Sequence, residues 1–245
     1  MSKKSAAEAR AERAAAALAE QRRRERRRTT LSIIGVVVAM AVIVAGGFLL
    51  SQRKGGGPGK EAASTPASGT TSVTIGPADA PHQVVIWEDF LCPFCGELEK
   101  RTSDRLAAAA ADGKVQVTYR PFNLLDTDYS QESLEVFAAT QRSAGDEVAK
   151  KLHDLLYAQQ PEESEPDAWP SQDELIDLAV QAGADRTKVK DAVDGGDAGT
   201  WADASTRAAA DAGVRSTPTV LVDGSEASGR TVDDIAASLL QSVGA

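Results

Sequence analysis

The chain has 245 residues and a formal net charge of −9, and that charge is unevenly divided. Residues 1–60 hold 13 Lys and Arg against 4 Asp and Glu, a net of +9, while the rest carries −18. So acidic a main body argues against nucleic acid and against anionic lipid as its partner. Only two cysteines, Cys92 and Cys95, and two histidines, His82 and His153, are present. Two thiolates make half a tetrahedral zinc site, and neither histidine stands in a paired ligand spacing, so no metal is expected.

Residues 1–30 are rich in Ala, Arg and Glu and end in Arg22-Arg23-Arg24-Glu25-Arg26-Arg27-Arg28. No aromatic residue accompanies this basic run, which weakens a nucleic-acid reading. Residues 31–50 contain no charge, and 12 of the 20 are Leu, Ile, Val or Phe. At a few tenths of a kcal/mol each, these favour membrane insertion by roughly 5 kcal/mol. Twenty residues at helical rise span the hydrocarbon core, so the segment is expected to be a transmembrane helix. The six preceding arginines outweigh Arg53 and Lys54 after it, which puts residues 1–30 in the cytoplasm and the remainder outside. The apolar run is longer than that of a cleaved signal peptide and no small-x-small site follows at once, so an uncleaved signal-anchor is expected. Residues 51–70 are Gly, Pro, Ser, Thr and Ala with few charges, a flexible tether with a reach of roughly 25 Å.

From residue 71 the pattern is that of one domain. Ser72 to Ile75 reads as a short strand and Gln83 to Trp87 as a buried one. Pro93 to Ala111 reads as a helix, with Leu98, Thr102, Leu106 and Ala109 on one face and Asp112-Gly113 as its stop. Val115, Val117 and Tyr119 alternate with polar residues, giving a strand over Lys114 to Arg120. Residues 127–212 read as an all-helical block. Its helices run over Glu132–Ser143, Asp146–Gln159, a third opened by the Ser171/Glu174 capping box, Thr187–Val193 and Thr200–Ala212. His153 falls beside Leu152 and is expected to be a surface or partly buried helix residue; Trp169 and Trp201 read as packing residues. Thr219 to Val222 is a strand, Asp223-Gly224 a hairpin turn, Glu226 to Ser228 its partner, and Thr231 with Asp234 caps a last helix, Val232–Ser242.

The chemistry concentrates in Trp87-Glu88-Asp89-Phe90-Leu91-Cys92-Pro93-Phe94-Cys95-Gly96. A strand delivers Cys92 to the start of a helix, where unpaired N–H groups favour thiolate over thiol. Pro93 suits the first helical turn, and Cys95 follows one turn on, placed to attack a mixed disulfide at Cys92. Competing readings are a structural disulfide, a half zinc site and a pair of inert buried thiols. A loop this short stabilises by about 2 kcal/mol at most before strain, which disfavours the first.

Phe90-Leu91-Cys92-Pro93-Phe94-Cys95 resembles the active-site segment of the DsbA-like branch of the thioredoxin superfamily. Gly213-Val214-Arg215-Ser216-Thr217-Pro218-Thr219-Val220-Leu221-Val222 resembles its cis-proline loop and following strand. The resemblance covers residues 71–245. It implies an α/β thioredoxin fold with an inserted all-helical subdomain, here preceded by a single transmembrane helix. It also implies a protein-disulfide oxidoreductase that needs no cofactor. Cys92 becomes an exposed nucleophile and Cys95 the resolving thiol, together a redox-active disulfide around the dipeptide Pro93-Phe94. Thr217 and a cis Pro218 would bind extended substrate, although Pro218 also fits a trans proline opening a strand. The buried acid that relatives carry six residues before the nucleophile is here Ile86, leaving Glu88 and Asp89 as candidates for proton transfer. Expected partners are reduced secreted or cell-envelope proteins and a membrane-embedded, quinone-linked thiol oxidase for reoxidation. The residues leave open a reductase or isomerase of the same fold, and a non-catalytic binding module.

Overall fold

The computed structural model describes residues 71–245. The tether and the membrane-length segment at 31–50 lie outside the described residues. Among those described, no helix is long and apolar enough to cross a membrane.

A five-stranded mixed sheet forms the centre. Its strands are β1 (Val73–Ile75), β2 (His82–Glu88), β3 (Val115–Pro121), β4 (Thr219–Val222) and β5 (Ser225–Glu226), in spatial order β1-β3-β2-β4-β5. β2 pairs parallel with β3 and antiparallel with β4. The parallel pair needs a crossover, and the helix α1 (Pro93–Ala111) supplies it. Side chains of β2 alternate between faces. Val84 and Ile86 pack with Leu98 and Leu106 of α1 and with Leu239 and Leu240 of the C-terminal helix. Val85 and Trp87 face the other way, against Phe122, Ala209 and Val214. Being covered on both sides makes β2 a near-continuous apolar run, and its C-terminal end is where Cys92 emerges.

Between β3 and β4 lies the helical insertion: α2 (Asp128–Ala144), α3 (Asp146–Ala158), α4 (Gln172–Ala182), α5 (Arg186–Asp194) and α6 (Asp197–Asp211). α2 begins a turn earlier than the apolar periodicity suggests, because Thr127 accepts a bond from Ser130 N and caps it there. The capping box of α4 is formed by Ser171 and Glu174. The acidic loop before α4 contains a single 3₁₀ turn, Pro166–Ala168, and Trp169 closes against Tyr129. The insertion has its own core, built on Phe137, Leu152, Leu156, Leu175 and Ile176, and it is continuous with Phe90, Leu91 and both cysteines.

The β4–β5 hairpin turns on Asp223 and Gly224, both at positive φ (50° and 73°), the mirror-image turn that follows strand twist. β5 is Ser225–Glu226, shifted toward the turn relative to the sequence pattern, because a two-residue turn puts Ser225 directly opposite Val222. α7 (Val232–Val243) follows, opened by a capping box between Thr231 and Asp234. The described chain is therefore a thioredoxin-like α/β fold with an all-helical insertion.

Candidate active site

Cys92 is the N-cap of α1, with Pro93 in the first turn. The backbone N–H groups of Cys95 and Gly96 donate to the Cys92 carbonyl at 3.0 and 3.2 Å and close that turn. Both cysteines are free thiols, 3.6 Å apart, so the geometry is that of the reduced pair. Cys92 is buried, at 5% exposure, not open as the sequence suggests, while Pro93 and Phe94 are exposed. The reason is a loop 125 residues away: Cys92 Sγ lies 3.6 Å from the Thr217 carbonyl oxygen. The Thr217–Pro218 peptide is cis.

These surroundings separate the two thiols. The Cys92 pKa falls to about 6, chiefly through hydrogen bonding from the Cys95 thiol. Burial opposes this, and Thr217 with the backbone of Cys95 and Phe94 adds to the lowering. Cys95 is pushed well above the ordinary thiol range, first by burial and then by Cys92 and the charge of Glu88. The site thus holds one stabilised thiolate and one thiol that keeps its proton, the division that a nucleophile and a resolving thiol require.

Of the two proton-transfer candidates, Asp89 is committed elsewhere. Its Oδ1 accepts from Leu91 N (2.9 Å) and Ser130 Oγ (2.7 Å), and its Oδ2 from Leu124 N (2.8 Å) and Leu125 N (3.0 Å). A fully buried carboxylate with four donors ties the β2–α1 loop to the 123–130 segment and has no spare lone pair aimed at a thiol. Glu88 turns into the core, where Oε1 meets His153 Nε2 at 2.8 Å and Oε2 has no partner. His153 is not a surface residue: it is fully buried, because Ala149, Leu152, His153 and Leu156 form the inward stripe of α3. Its ring packs against Tyr119, Tyr157, Phe90 and Phe137, and its Nδ1 lies 3.2 Å from Asp154 Oδ1. Burial disfavours the imidazolium, but Glu88, Asp154 and Glu99 outweigh it and raise the His153 pKa to about 9.

Two further residues escape a reading by motif. Gln160 Nε2 donates to the carbonyls of Phe90 (2.8 Å) and Cys92 (3.0 Å) and so fixes the approach to the nucleophile. Gly96 permits this, since a Cβ there would overlap the Gln160 side-chain oxygen. Glu99 is buried in α1, and burial, first among several charges, raises its pKa to about 7. The atoms of Glu88, Glu99 and His153 that can bind a ligand all lie within 4.8 Å of one another. The signal for Glu99 was its spacing, four residues after Cys95 on the face that carries Thr102 and Leu106.

The family model described as thioredoxin matches residues 68–240. Among solved structures, the chain is 25% identical to the reduced disulfide oxidoreductase DsbG from Mycobacterium tuberculosis, with a TM-score of 0.62, covering 76% of this chain and 92% of that one. Reduced DsbA from the same organism is also 25% identical, with a TM-score of 0.59, covering 71% and 93%. A curated relative, Na(+)/H(+) antiporter NhaA 3 of Salinispora tropica, is 34% identical over 88 residues, 36% of this chain. The match spans only 13% of that antiporter's length. The chain belongs to the thioredoxin family, in its DsbA-like branch of thiol-disulfide oxidoreductases.

Proposed function

We propose that this protein is a membrane-tethered, extracytoplasmic oxidoreductase that introduces disulfides into secreted and cell-envelope proteins. The observation that carries the chemistry is the opposed state of two thiols 3.6 Å apart, with Cys92 lowered to about 6 and Cys95 raised. A substrate thiolate attacks Cys92 Sγ of the oxidised pair, and the electrons of the broken S–S bond pass to Cys95. A second substrate thiolate then attacks the substrate sulfur of the mixed disulfide and Cys92 leaves. A leaving group of low pKa departs fast, which favours oxidation of others. The Thr217 carbonyl, within reach of Cys92, is suited to hold an extended substrate backbone as an added strand would. Exposed Phe94 and Pro93 offer the apolar rim of such a contact.

The tether reading rests on composition: residues 31–50 as a single span, residues 1–30 cytoplasmic behind six arginines, and residues 51–70 as a linker to the domain. Outside the membrane, thiol oxidation is useful. Each turnover leaves Cys92 and Cys95 reduced, and the chain has no other cysteine to relay electrons onward. A membrane-embedded, quinone-linked thiol oxidase is the proposed acceptor. Refolding of reduced RNase with catalytic oxidised protein tests the activity, and Cys92→Ala should abolish it. Titration of the pair against glutathione sets the direction, and a poise far below that of glutathione would make the protein a reductase. Labelling of terminal tags on whole cells tests the topology: the C-terminal tag should be reached from outside and the N-terminal one should not.

A further inference from the structure

Three buried side chains from three elements converge in the interior. Glu88 ends β2, Glu99 lies on α1, and His153 lies on α3 of the insertion. They are 1%, 4% and 0% exposed. One ligating atom of each, two carboxylate oxygens and an imidazole nitrogen, lies within 4.8 Å of the other two. Because the three stand at 88, 99 and 153, no ligand spacing marks them as a set in the sequence.

Their hydrogen bonding is incomplete. Among the described residues, Oε2 of Glu88 and both carboxyl oxygens of Glu99 have no partner, although each is buried. A buried charge in apolar surroundings is held by a paired charge or by a metal. His153 serves one of these oxygens' neighbours only: its Nε2 meets Glu88 Oε1 at 2.8 Å. On the other side of the ring, Nδ1 meets Asp154 Oδ1 at 3.2 Å. A carboxylate that holds the N–H of one imidazole nitrogen is the arrangement that presents the other nitrogen to a metal.

The charges agree with this. Glu88, Glu99 and Asp154 as carboxylates carry three negative charges, and Lys150, which pairs with Asp154, returns one. With His153 neutral, as a metal ligand must be, the group lacks two positive charges, the charge of a divalent cation. Lys100 and Asp104 at the outer rim offset one another. One imidazole nitrogen with two carboxylates suits a zinc-like ion better than magnesium or calcium, which take oxygen ligands. An ion also has a way in, since Glu99 and Asp154 line a surface pocket of about 300 Å³ with Gly96, Ser103, Lys150 and Tyr157.

We propose that Glu88, Glu99 and His153 form a binding site for a zinc-like divalent cation, with Asp154 orienting His153 and water from the pocket completing the shell. The cation takes the place of the proton that His153 Nε2 holds against Glu88 in the metal-free protein, and that proton leaves to solvent. Nε2 and Oε1 then part from 2.8 Å to roughly 3.3 Å, the spacing of two ligands each about 2.0–2.1 Å from a tetrahedral zinc. Since the ligands belong to β2, to α1 and to the insertion, the ion staples the helical insertion to the sheet. The site does not depend on exchange at Cys92.

The test uses the full-length protein in detergent, without a histidine tag and stripped of metal with a chelator. It is first oxidised, so that Cys92 and Cys95 are held in a disulfide and cannot act as thiolate ligands. Zn²⁺ is then titrated in competition with a chromophoric chelator. One ion should bind per chain. His153→Gln and Glu99→Gln should each weaken binding by more than about 100-fold, and Asp154→Ala by about 10–100-fold, the loss typical of a residue that only orients a ligand. Zn²⁺ should raise the Tm of the wild type and leave that of Glu99→Gln unchanged, with circular dichroism confirming that each variant is folded. A wild type that binds no Zn²⁺ overturns the proposal without recourse to any variant. Binding that survives both His153→Gln and Glu99→Gln also overturns it, since the ion then sits on the acidic surface. Displacement of Zn²⁺ by equimolar Ca²⁺ would contradict the zinc-like assignment.

Discussion

Replacing His153 with Gln should strip a buried ion pair of one partner. His153 Nε2 faces Glu88 Oε1 and Nδ1 faces Asp154 Oδ1, and since carboxylates only accept, both nitrogens carry protons. The Glu88 carboxylate, at 1% exposure, then has no counter-charge in the variant. Breaking a buried pair from one side costs about 3–5 kcal/mol. For a domain of this size that lowers Tm by roughly 6 to 20 °C. The Glu88→Gln, His153→Gln double variant removes both charges and should regain about 1–3 kcal/mol over the sum of the single losses. The pH dependence has a definite sign. The folded pKa of His153, about 9, lies above the ordinary 6.5. Its contribution is present in full below about 6.5 and is lost as pH rises through about 9, with an amplitude of about 3 kcal/mol. Glu99, raised from 4.5 to about 7, acts in the same direction one window lower. Urea unfolding of reduced protein from pH 5 to pH 9 measures this. The lowered pKa of Cys92 acts the other way between about 6 and 9, so the His153 contribution is read as a difference: relative to His153→Gln, the wild type should lose about 3 kcal/mol between 6.5 and 9. Single variants within about 1 kcal/mol of wild type, with strictly additive doubles, would refute the buried imidazolium.

Gln160→Ala should lose the two bonds to the Phe90 and Cys92 carbonyls and cost about 1–2 kcal/mol in urea unfolding. Gly96→Ala should be destabilising in the wild type, because its Cβ displaces Gln160, yet stabilising by about 1 kcal/mol in a Gln160→Ala background, where only helix propensity remains. Ser130→Ala removes the hydroxyl that donates to Asp89 Oδ1 at 2.7 Å and should cost about 1.5–3 kcal/mol, read from the same unfolding curves.

The sheet and helices were readable because their signals are local. The stop at Asp112-Gly113, the Ser171/Glu174 and Thr231/Asp234 boxes, and the alternation of Val115, Val117 and Tyr119 each lie within a few residues. Thr217-Pro218 was readable as a site element only through family resemblance; nothing local says that it faces Cys92. The burial of Glu99 and His153 is hidden in the sequence for a physical reason. Glu99 sits in Gly96-Glu97-Leu98-Glu99-Lys100-Arg101, and His153 follows Lys150 and Lys151, so composition suggests two solvated faces. Position on the stripe says otherwise, since Cys95, Glu99, Thr102 and Leu106 repeat at helical spacing, as do Ala149, Leu152, His153 and Leu156. That His153 meets Glu88, 65 residues away, depends on how the insertion docks on the sheet. The four donors of Asp89 likewise exist only once the 123–130 segment folds back over the loop.

The most direct test of the account is which cysteine reacts, and at what pH. Reduced protein is alkylated over a range of pH and the labelled peptides are mapped. Cys92 should titrate near 6, so that about 90% is thiolate at pH 7 against about 1% for a thiol of pKa 9, and it should be labelled far ahead of Cys95. A Cys95→Ala variant should accumulate mixed disulfides through Cys92. Equal labelling of the two cysteines, or a Cys92 midpoint near that of a free thiol, would contradict the assignment of nucleophile and resolving thiol on which the mechanism stands.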